Sequence, residues 1–195
     1  MFYCLICQNP SFLQICLNCY KGFQLSEWTQ CARCGKSECL SQCDKLEEFT
    51  EVISFFELTS SISKILRLAK NEQDSISQRI LEILLKKNLQ KKMTRCLFEF
   101  KFSHASIVPL KKERVKDANW HTNLLIYDYF KNYSKKMSQG KLVFKLQKDN
   151  KIPLHIVILD DVLTKGTTLR TTLKKLSPLF PDATWSAVTL FRSHQ

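Results

Sequence analysis

A chain of 195 residues with 44% hydrophobic residues can hold one full domain and a small module, and this composition excludes wholesale disorder. Thirty Lys and Arg residues against eighteen Asp and Glu give a formal net charge of +12. Such a surplus favours nucleic acid, a phosphorylated metabolite or an anionic membrane as the partner, without choosing among them. The four glycines exclude a Walker loop and a dinucleotide-binding fingerprint, which need glycines in closer order.

No apolar run approaches the roughly 18 residues that a transmembrane helix needs. The N-terminal residues lack the basic start and continuous apolar stretch of a signal peptide. We therefore expect a cytoplasmic chain. In that compartment nine cysteines indicate metal binding before disulfides.

Eight of the nine cysteines lie in the first 43 residues. Three pairs have the Cys-x-x-Cys spacing that structural zinc prefers, and a fourth pair is one residue wider. The pairs are Cys4 and Cys7, Cys16 and Cys19, Cys31 and Cys34, and Cys39 and Cys43. A sequential arrangement gives one ion to the first four cysteines and a second ion to the last four. A crossed arrangement, in which the first and third pairs share an ion, stays open, as does redox or disulfide use.

Residues 1–45 are therefore predicted to form a zinc module with one or two structural ions, because so short a segment has little core of its own. Cys96, alone among apolar residues, is predicted to be a core residue.

From residue 46 onward the pattern predicts alternating strands and helices, which indicates an α/β domain with a mostly parallel sheet. Strands are predicted at 52–56, 97–102, 106–109, 142–146, 155–159 and 183–191. Helices are predicted at 62–70, with Ser60 or Ser61 as the N-cap, and at 75–92, 117–132 and 168–175.

The clearest candidate site follows the strand at 155–159, which is apolar enough to be buried on both faces. Two acids, Asp160 and Asp161, come next, and then a loop that leads into a helix. A helix N-terminus attracts phosphate, whereas carboxylates suit sugar hydroxyls or a metal ion shared with the ligand. The loop residues with donors, charge or close backbone approach are Thr164, Lys165, Gly166, Thr167 and Thr168. Together they predict a sugar-phosphate site; a solvated polar turn and a Walker B strand are the alternatives.

The stretch HIVILDDVLTKGTTLR, residues 155–170, closely resembles the ribose-5-phosphate signature of type I phosphoribosyltransferases. The resemblance implies that Asp160 and Asp161 hold the ribose 2- and 3-hydroxyls and that the loop holds the 5-phosphate. The implied ligand is phosphoribosyl pyrophosphate (PRPP) with Mg²⁺. The family's pyrophosphate loop is best matched by SIVPLKKER at 106–114, where the cations are Lys111, Lys112 and Arg114. An ordinary basic turn is the alternative for that stretch.

A cysteine-rich zinc module at residues 1–45, followed by a type I phosphoribosyltransferase-like domain at 46–195, resembles the ComF family of competence proteins, also called GntX-like. The similarity rests on the Cys-x-x-Cys pairs, on IVPL with its basic stretch, on LDDVLTKGTTL and on ISKILRLAK, where Lys70 takes the place of a family lysine. The chain departs from the family at 118–122, in the pyrophosphate region, and at 134–141, where a flexible loop is shortened.

The resemblance implies a cytoplasmic protein of natural transformation that handles imported single-stranded DNA, with a PRPP pocket. It allows association with the inner face of the membrane and with other transformation proteins there. Basic clusters at 86–92, 111–116, 131–141 and 174–175, with nearby aromatic residues, fit a strand-binding surface. An active phosphoribosyltransferase that acts on a nucleobase or an amine is the alternative. The sequence identifies no general acid or base for that reaction. In a third hypothesis, the ligand regulates DNA binding or the pocket grips DNA backbone ends.

Overall fold

The computed structural model of the chain describes residues 1–4, 6–12, 15–21, 29, 31–34, 39, 45–100, 104–107 and 155–193. The N-terminal part contains a short antiparallel pair, β1 (Phe2–Tyr3) and β2 (Pro10–Ser11), and a helix of one turn, α1 (Leu17–Lys21). Four of the eight cysteines of the predicted module, Cys4, Cys7, Cys16 and Cys19, lie in or beside these elements. The predicted helix at 117–132 and strand at 142–146 lie outside the described residues.

The main sheet has four described strands, which are all parallel: β3 (Glu51–Glu57), β4 (His104–Ile107), β5 (His155–Leu163) and β6 (Thr184–Arg192). Their order across the sheet is β3-β6-β5-β4. β5 and β6 are therefore flanked on both sides, and nearly all of their residues are buried. The prediction of an α/β fold with a parallel sheet and an N-terminal cysteine-rich cluster is confirmed.

The helices α2 (Ser60–Asn71), α3 (Ser75–Phe100) and α4 (Thr167–Leu176) connect or follow these strands, and a 3-10 turn (Ser177–Leu179) ends α4. The predicted N-cap of α2 is wrong by one residue, because Thr59 takes that position. Its side-chain oxygen accepts a hydrogen bond from the Ile62 backbone N–H at 3.3 Å. Thr59 has the extended backbone that an N-cap requires, whereas Ser60 already lies inside the helix.

The predicted strand at 97–102 is also wrong over residues 97–100, where α3 continues as helix to Phe100. A helix that has already formed adds each further residue at little cost, whereas a new strand needs a partner. Four residues of alternating character did not outweigh that advantage. Within the described residues no helix is both long and apolar enough to cross a membrane.

Two cores pack on the two faces of the sheet. The first contains Phe55 and Phe56 of β3, the buried faces of α2 and α3, and Cys4 and Ile15 of the N-terminal part. The second joins Leu46 and Phe49 to Trp185 and to Leu169 of α4. The N-terminal part and the segment at 46–50 thus lie on opposite faces of one sheet.

Candidate functional site

The sequence predicted that Asp160 and Asp161 follow the strand. In the structure both lie inside β5. The strand runs to Leu163, because its pairing with β6 continues through Val162 and Leu163, opposite Phe191 and Arg192. Both aspartates are buried, with 6% and 5% of their surface exposed. Buried carboxylates need polar or charged partners, so this position is costly for a strand that serves only as core.

Side-chain alternation breaks at these two aspartates. Leu159 and Val162 both pack on the first core, whereas strict alternation would put residues three apart on opposite faces. Ile158 and Leu163 likewise share the second core. The pairing register with β6 is the same before and after the break. Because the alternation breaks here, the two neighbouring carboxylates need not point to opposite faces of the sheet.

Lys70 forms an ion pair with Asp161. Its Nζ contacts the Asp161 Oδ2, and the two side chains are only 15% and 8% exposed. Lys70 lies in the last turn of α2, which the first core holds against the sheet. The Asp160 Oδ1 accepts a hydrogen bond from the Asp161 backbone N–H at 2.9 Å. A cation is thus built into the acidic pair.

A row of polar side chains extends from Asp160 across the sheet. Asp160 pairs in register with Thr189, and Thr189 pairs with Ser54. The hydroxyls of Ser54 and Thr189 lie 2.8 Å apart, and both residues are buried. The sequence does not reveal this row, because single hydroxyls in apolar strands give no distinctive signal before the strand register is known.

The loop after β5 leads directly into α4. Thr164, Lys165, Thr167 and Thr168 are exposed, and Thr167 is the first residue of the helix. Their hydroxyls, the Lys165 ammonium and the helix N-terminus therefore face solvent next to the carboxyl end of a central parallel strand. Ligands of open α/β sheets bind at such ends, where a helix N-terminus favours an anion.

Gly166 is buried and has a φ of 77°, which is in the left-handed region. A Cβ at this position would lie 2.5 Å from the Cδ2 of Leu46. The predicted role of Gly166 was close approach to a phosphate. The structure gives two further reasons for glycine here, namely the backbone conformation and the Leu46 side chain.

Two arginines outside the predicted site residues hold this loop. Arg192 ends β6, is 1% exposed and donates a hydrogen bond to the backbone oxygen of Thr164. Arg170 of α4 pairs with Glu48 at 2.8 Å, and its Nη1 lies 3.5 Å from the Lys165 backbone oxygen. Burial raises the pKa of Glu48, but backbone and Arg170 hydrogen bonds outweigh it, so that this pKa lies below its usual value. The position of Arg192 at the end of an apolar strand is the sequence signal that could have predicted its burial.

The first cysteine cluster contains Cys4, Cys7, Cys16 and Cys19, whose Sγ atoms all lie within 4.8 Å of one another. The structure thus groups the first two pairs sequentially and not in the crossed arrangement. Sulfurs around a tetrahedral zinc with bonds of about 2.3 Å lie about 3.8 Å apart. The Cys7 and Cys16 sulfurs are 3.8 Å apart, so this donor set fits a tetrahedral thiolate site.

The thiols of this cluster differ strongly in acidity. Burial raises the pKa of Cys4, but backbone N–H groups, first that of Cys16, outweigh it and lower the pKa to about 6. Burial and hydrogen bonds to the neighbouring cysteines raise the pKa of Cys19 to about 12. The Cys16 backbone N–H lies 3.4 Å from the Cys4 sulfur. Without a metal, the cluster therefore carries Cys4 as a thiolate beside a protonated Cys19 at neutral pH.

The second cluster contains Cys31, Cys34 and Cys39, again with all sulfurs within 4.8 Å. Its predicted fourth ligand, Cys43, lies outside the described residues. Burial raises the pKa of Cys31, but hydrogen bonds, first the backbone N–H of Cys34, lower it to about 7. Three convergent sulfurs, one of them readily ionised, form a donor set that suits zinc.

The other predicted site residues, Lys111, Lys112 and Arg114, lie outside the described residues, as do 118–122 and 134–141. A comparison with protein-family models gives no match, and a comparison with curated proteins gives no significant one. The structure thus places a buried acidic pair a few residues before a hydroxyl-rich helix N-terminus. It also forms two separate clusters of cysteine sulfurs, each of which could hold a metal ion.

Proposed function

We propose that the chain binds a 5-phosphorylated ribose, with PRPP and Mg²⁺ as its ligand, at the carboxyl end of β5. One observation supports this more than any other. The buried pair Asp160 and Asp161 lies in the last part of a central parallel strand, a few residues before a left-handed glycine and an exposed helix N-terminus. Carboxylates that can accept hydrogen bonds from sugar hydroxyls thus lie a few residues from a helix N-terminus that can attract phosphate. A sugar phosphate requires both.

The charges around the aspartates support a phosphorylated ligand. Two bare carboxylates would repel a phosphate, but the Lys70 ammonium offsets one of the two charges. Carboxylate oxygens are also preferred ligands of Mg²⁺, which commonly keeps several waters and binds substrate phosphates. When bound, Mg²⁺ would supply further positive charge beside the diphosphate, with Asp160 and Asp161 as its candidate ligands.

The proposed biological role is the handling of imported single-stranded DNA in the cytoplasm during natural transformation. The resemblance to the ComF family and the net charge of +12 support it. We also propose that the two cysteine clusters bind structural zinc. An active phosphoribosyltransferase on a nucleobase or amine stays the alternative, since a ribose-phosphate site serves both functions.

Calorimetric titration of the zinc-loaded full chain with PRPP and Mg²⁺ tests the binding site. We expect saturable binding that Asp160→Asn weakens about tenfold or more, because a hydrogen bond to a charged group contributes about 1.5–3 kcal/mol. Asp182→Asn removes an exposed carboxylate far along the chain and is the matched control. Equal binding by Asp160→Asn and the unsubstituted chain would contradict the proposed site.

Two further measurements separate the two functions. Binding to a single-stranded oligonucleotide should be tighter than micromolar and should weaken steeply with salt, because phosphate contacts release counterions. Weak binding that is indifferent to salt would remove the DNA role. Pyrophosphate release from PRPP with a nucleobase or an amine, lost in Asp160→Asn, would instead establish the transferase.

A further inference from the structure

The second cysteine cluster is tied to the segment before β3 by Arg33, which lies between Cys31 and Cys34. The Arg33 guanidinium donates hydrogen bonds to the backbone oxygens of Leu46, Phe49 and Thr50, at 3.2, 2.7 and 2.8 Å. The planar guanidinium has donors in fixed directions, so three carbonyls held at once define its position. A large shift of the Cys31–Cys34 turn would therefore disturb its contacts with the segment at 46–50.

The same turn reaches the loop after β5 through Arg192. One arm of the Arg192 guanidinium donates to the Arg33 backbone oxygen at 3.1 Å, and the other donates to the Thr164 backbone oxygen. Thr164 begins the loop that is proposed to hold phosphate. Arg192 is buried, so these carbonyls supply part of the solvation that water would give its charge at the surface. The cysteine turn and the loop thus share one buried cation.

Two more contacts run from the segment at 46–50 to the same loop and helix. The Leu46 side chain fills the space beside Gly166, where a Cβ would lie 2.5 Å away. Glu48 pairs with Arg170 of α4. Arg33 also binds the Leu46 oxygen, so one guanidinium fixes the residue that packs on Gly166. Thr164, Gly166 and Arg170 are therefore all supported from the second cysteine cluster.

We propose that metal binding at Cys31, Cys34 and Cys39 fixes the loop at 164–168 through Arg33 and Arg192. The metal would hold the Cys31–Cys34 turn, the turn would hold both arginines, and the arginines would aim the loop's N–H groups. Coupling of this kind is reciprocal, so an anion on the loop would also strengthen metal binding at this cluster. The anion part rests on the proposed function; the link from cluster to loop does not.

Amide hydrogen exchange of the zinc-loaded full chain, followed by mass spectrometry, tests the link without any ligand. We expect peptides that cover 164–168 to exchange about tenfold faster in Cys39→Ser and in Arg33→Ala, the size of a typical coupling between sites. Cys7→Ser, which removes one thiol of the first cluster, and Arg79→Ala, at an exposed arginine of α3, are the matched controls. Peptides from α2 serve as the internal reference for intact folding.

Unchanged exchange of the loop in Cys39→Ser or Arg33→Ala would overturn the proposal. Equal acceleration in all four variants, or loss of α2 protection in Cys39→Ser or Arg33→Ala, would also overturn it, because the effect would then be general destabilisation. Arg33→Lys keeps the charge but loses the fork of donors, so we expect an effect between that of Arg33→Ala and none. Zinc content measured on each variant confirms that Arg33→Ala still holds the metal.

Titration with ribose 5-phosphate separates this proposal from the proposed function. We expect affinity to fall about tenfold in Cys39→Ser, and zinc affinity, measured by competition with a chromogenic chelator, to rise about tenfold when the ligand is present. If the zinc-loaded chain does not bind ribose 5-phosphate or PRPP, the proposed function fails, and exchange still decides the link. If Cys39→Ser binds as tightly as the unsubstituted chain, the coupling fails and the proposed site stands.

Discussion

The pair of Lys70 and Asp161 has two competing roles, one in the stability of the fold and one in the proposed ligand site. It places opposite charges where water scarcely reaches, so each side chain depends on the other for stability. It also occupies a carboxylate that the proposed site would offer to a ribose hydroxyl or to Mg²⁺. A ligand must therefore share or replace this contact, which makes the pair part of the site's chemistry and of the fold's stability.

Asp161→Asn is expected to destabilise the chain by about 3 kcal/mol, because it removes a negative charge that pairs with a nearly buried ammonium. Denaturant unfolding measures this loss. Adding Lys70→Met should recover most of it, since the remaining amide no longer faces a buried cation. Glu82→Gln, at the exposed pair of α3, should cost under about 1 kcal/mol. A double variant as unstable as Asp161→Asn would show that the ion pair is not the cause.

Gly166→Ala is expected to cost about 1–2 kcal/mol from the left-handed backbone alone, and more from the approach of Leu46. Combining it with Leu46→Ala should remove the crowding and leave the backbone cost. The two substitutions should therefore be less costly together than the sum of the single effects in urea unfolding. Strict additivity would contradict the contact between the two residues.

At the scale of elements, the sequence predicted what short-range patterns determine. Apolar runs predicted the sheet strands at 52–56, 155–159 and 183–191. The first two observed strands are two and four residues longer, and the third is shifted by one residue. The sequence also predicted α2, most of α3, and α4. The errors lie at ends, where Thr59 replaces Ser60 or Ser61 as a cap and where α3 absorbs 97–100. Ends depend on a few weak local contacts, so sequence patterns determine them poorly.

Thr59→Ala should destabilise the chain by about 1 kcal/mol, because Ile62 loses the acceptor for its backbone N–H. Ser60→Ala and Ser61→Ala, the caps predicted from sequence, should change the unfolding free energy by less than about 0.5 kcal/mol. Thermal or urea unfolding of the three variants compares them directly. A larger loss in Ser60→Ala than in Thr59→Ala would reverse the assignment.

At the scale of the whole molecule, the two cysteine clusters serve opposite faces of one sheet. The first cluster packs with α2, and the Lys64 Nζ donates to the Ile6 backbone oxygen at 2.9 Å. The second is tied to 46–50 and to the loop after β5. No sequence pattern predicts these links, since Arg33 and Arg192 are 159 positions apart and the contact appears only when the chain has folded. The sequence predicted the acidic pair, the loop and most cysteines, but not the residues that support them.

Zinc binding at these clusters should depend on pH with a definite sign. In the first cluster the Cys4 pKa is about 6 and the Cys19 pKa about 12, so at pH 7 the metal meets one thiolate and at least one thiol. Zinc takes thiolates, so binding must release protons and affinity must fall as pH falls. Calorimetry in buffers of different ionisation enthalpy should show at least one proton released from this cluster at pH 7. The comparison of the unsubstituted chain with Cys39→Ser assigns that release to the first cluster, and no proton release would mean that the four sulfurs do not all bind zinc.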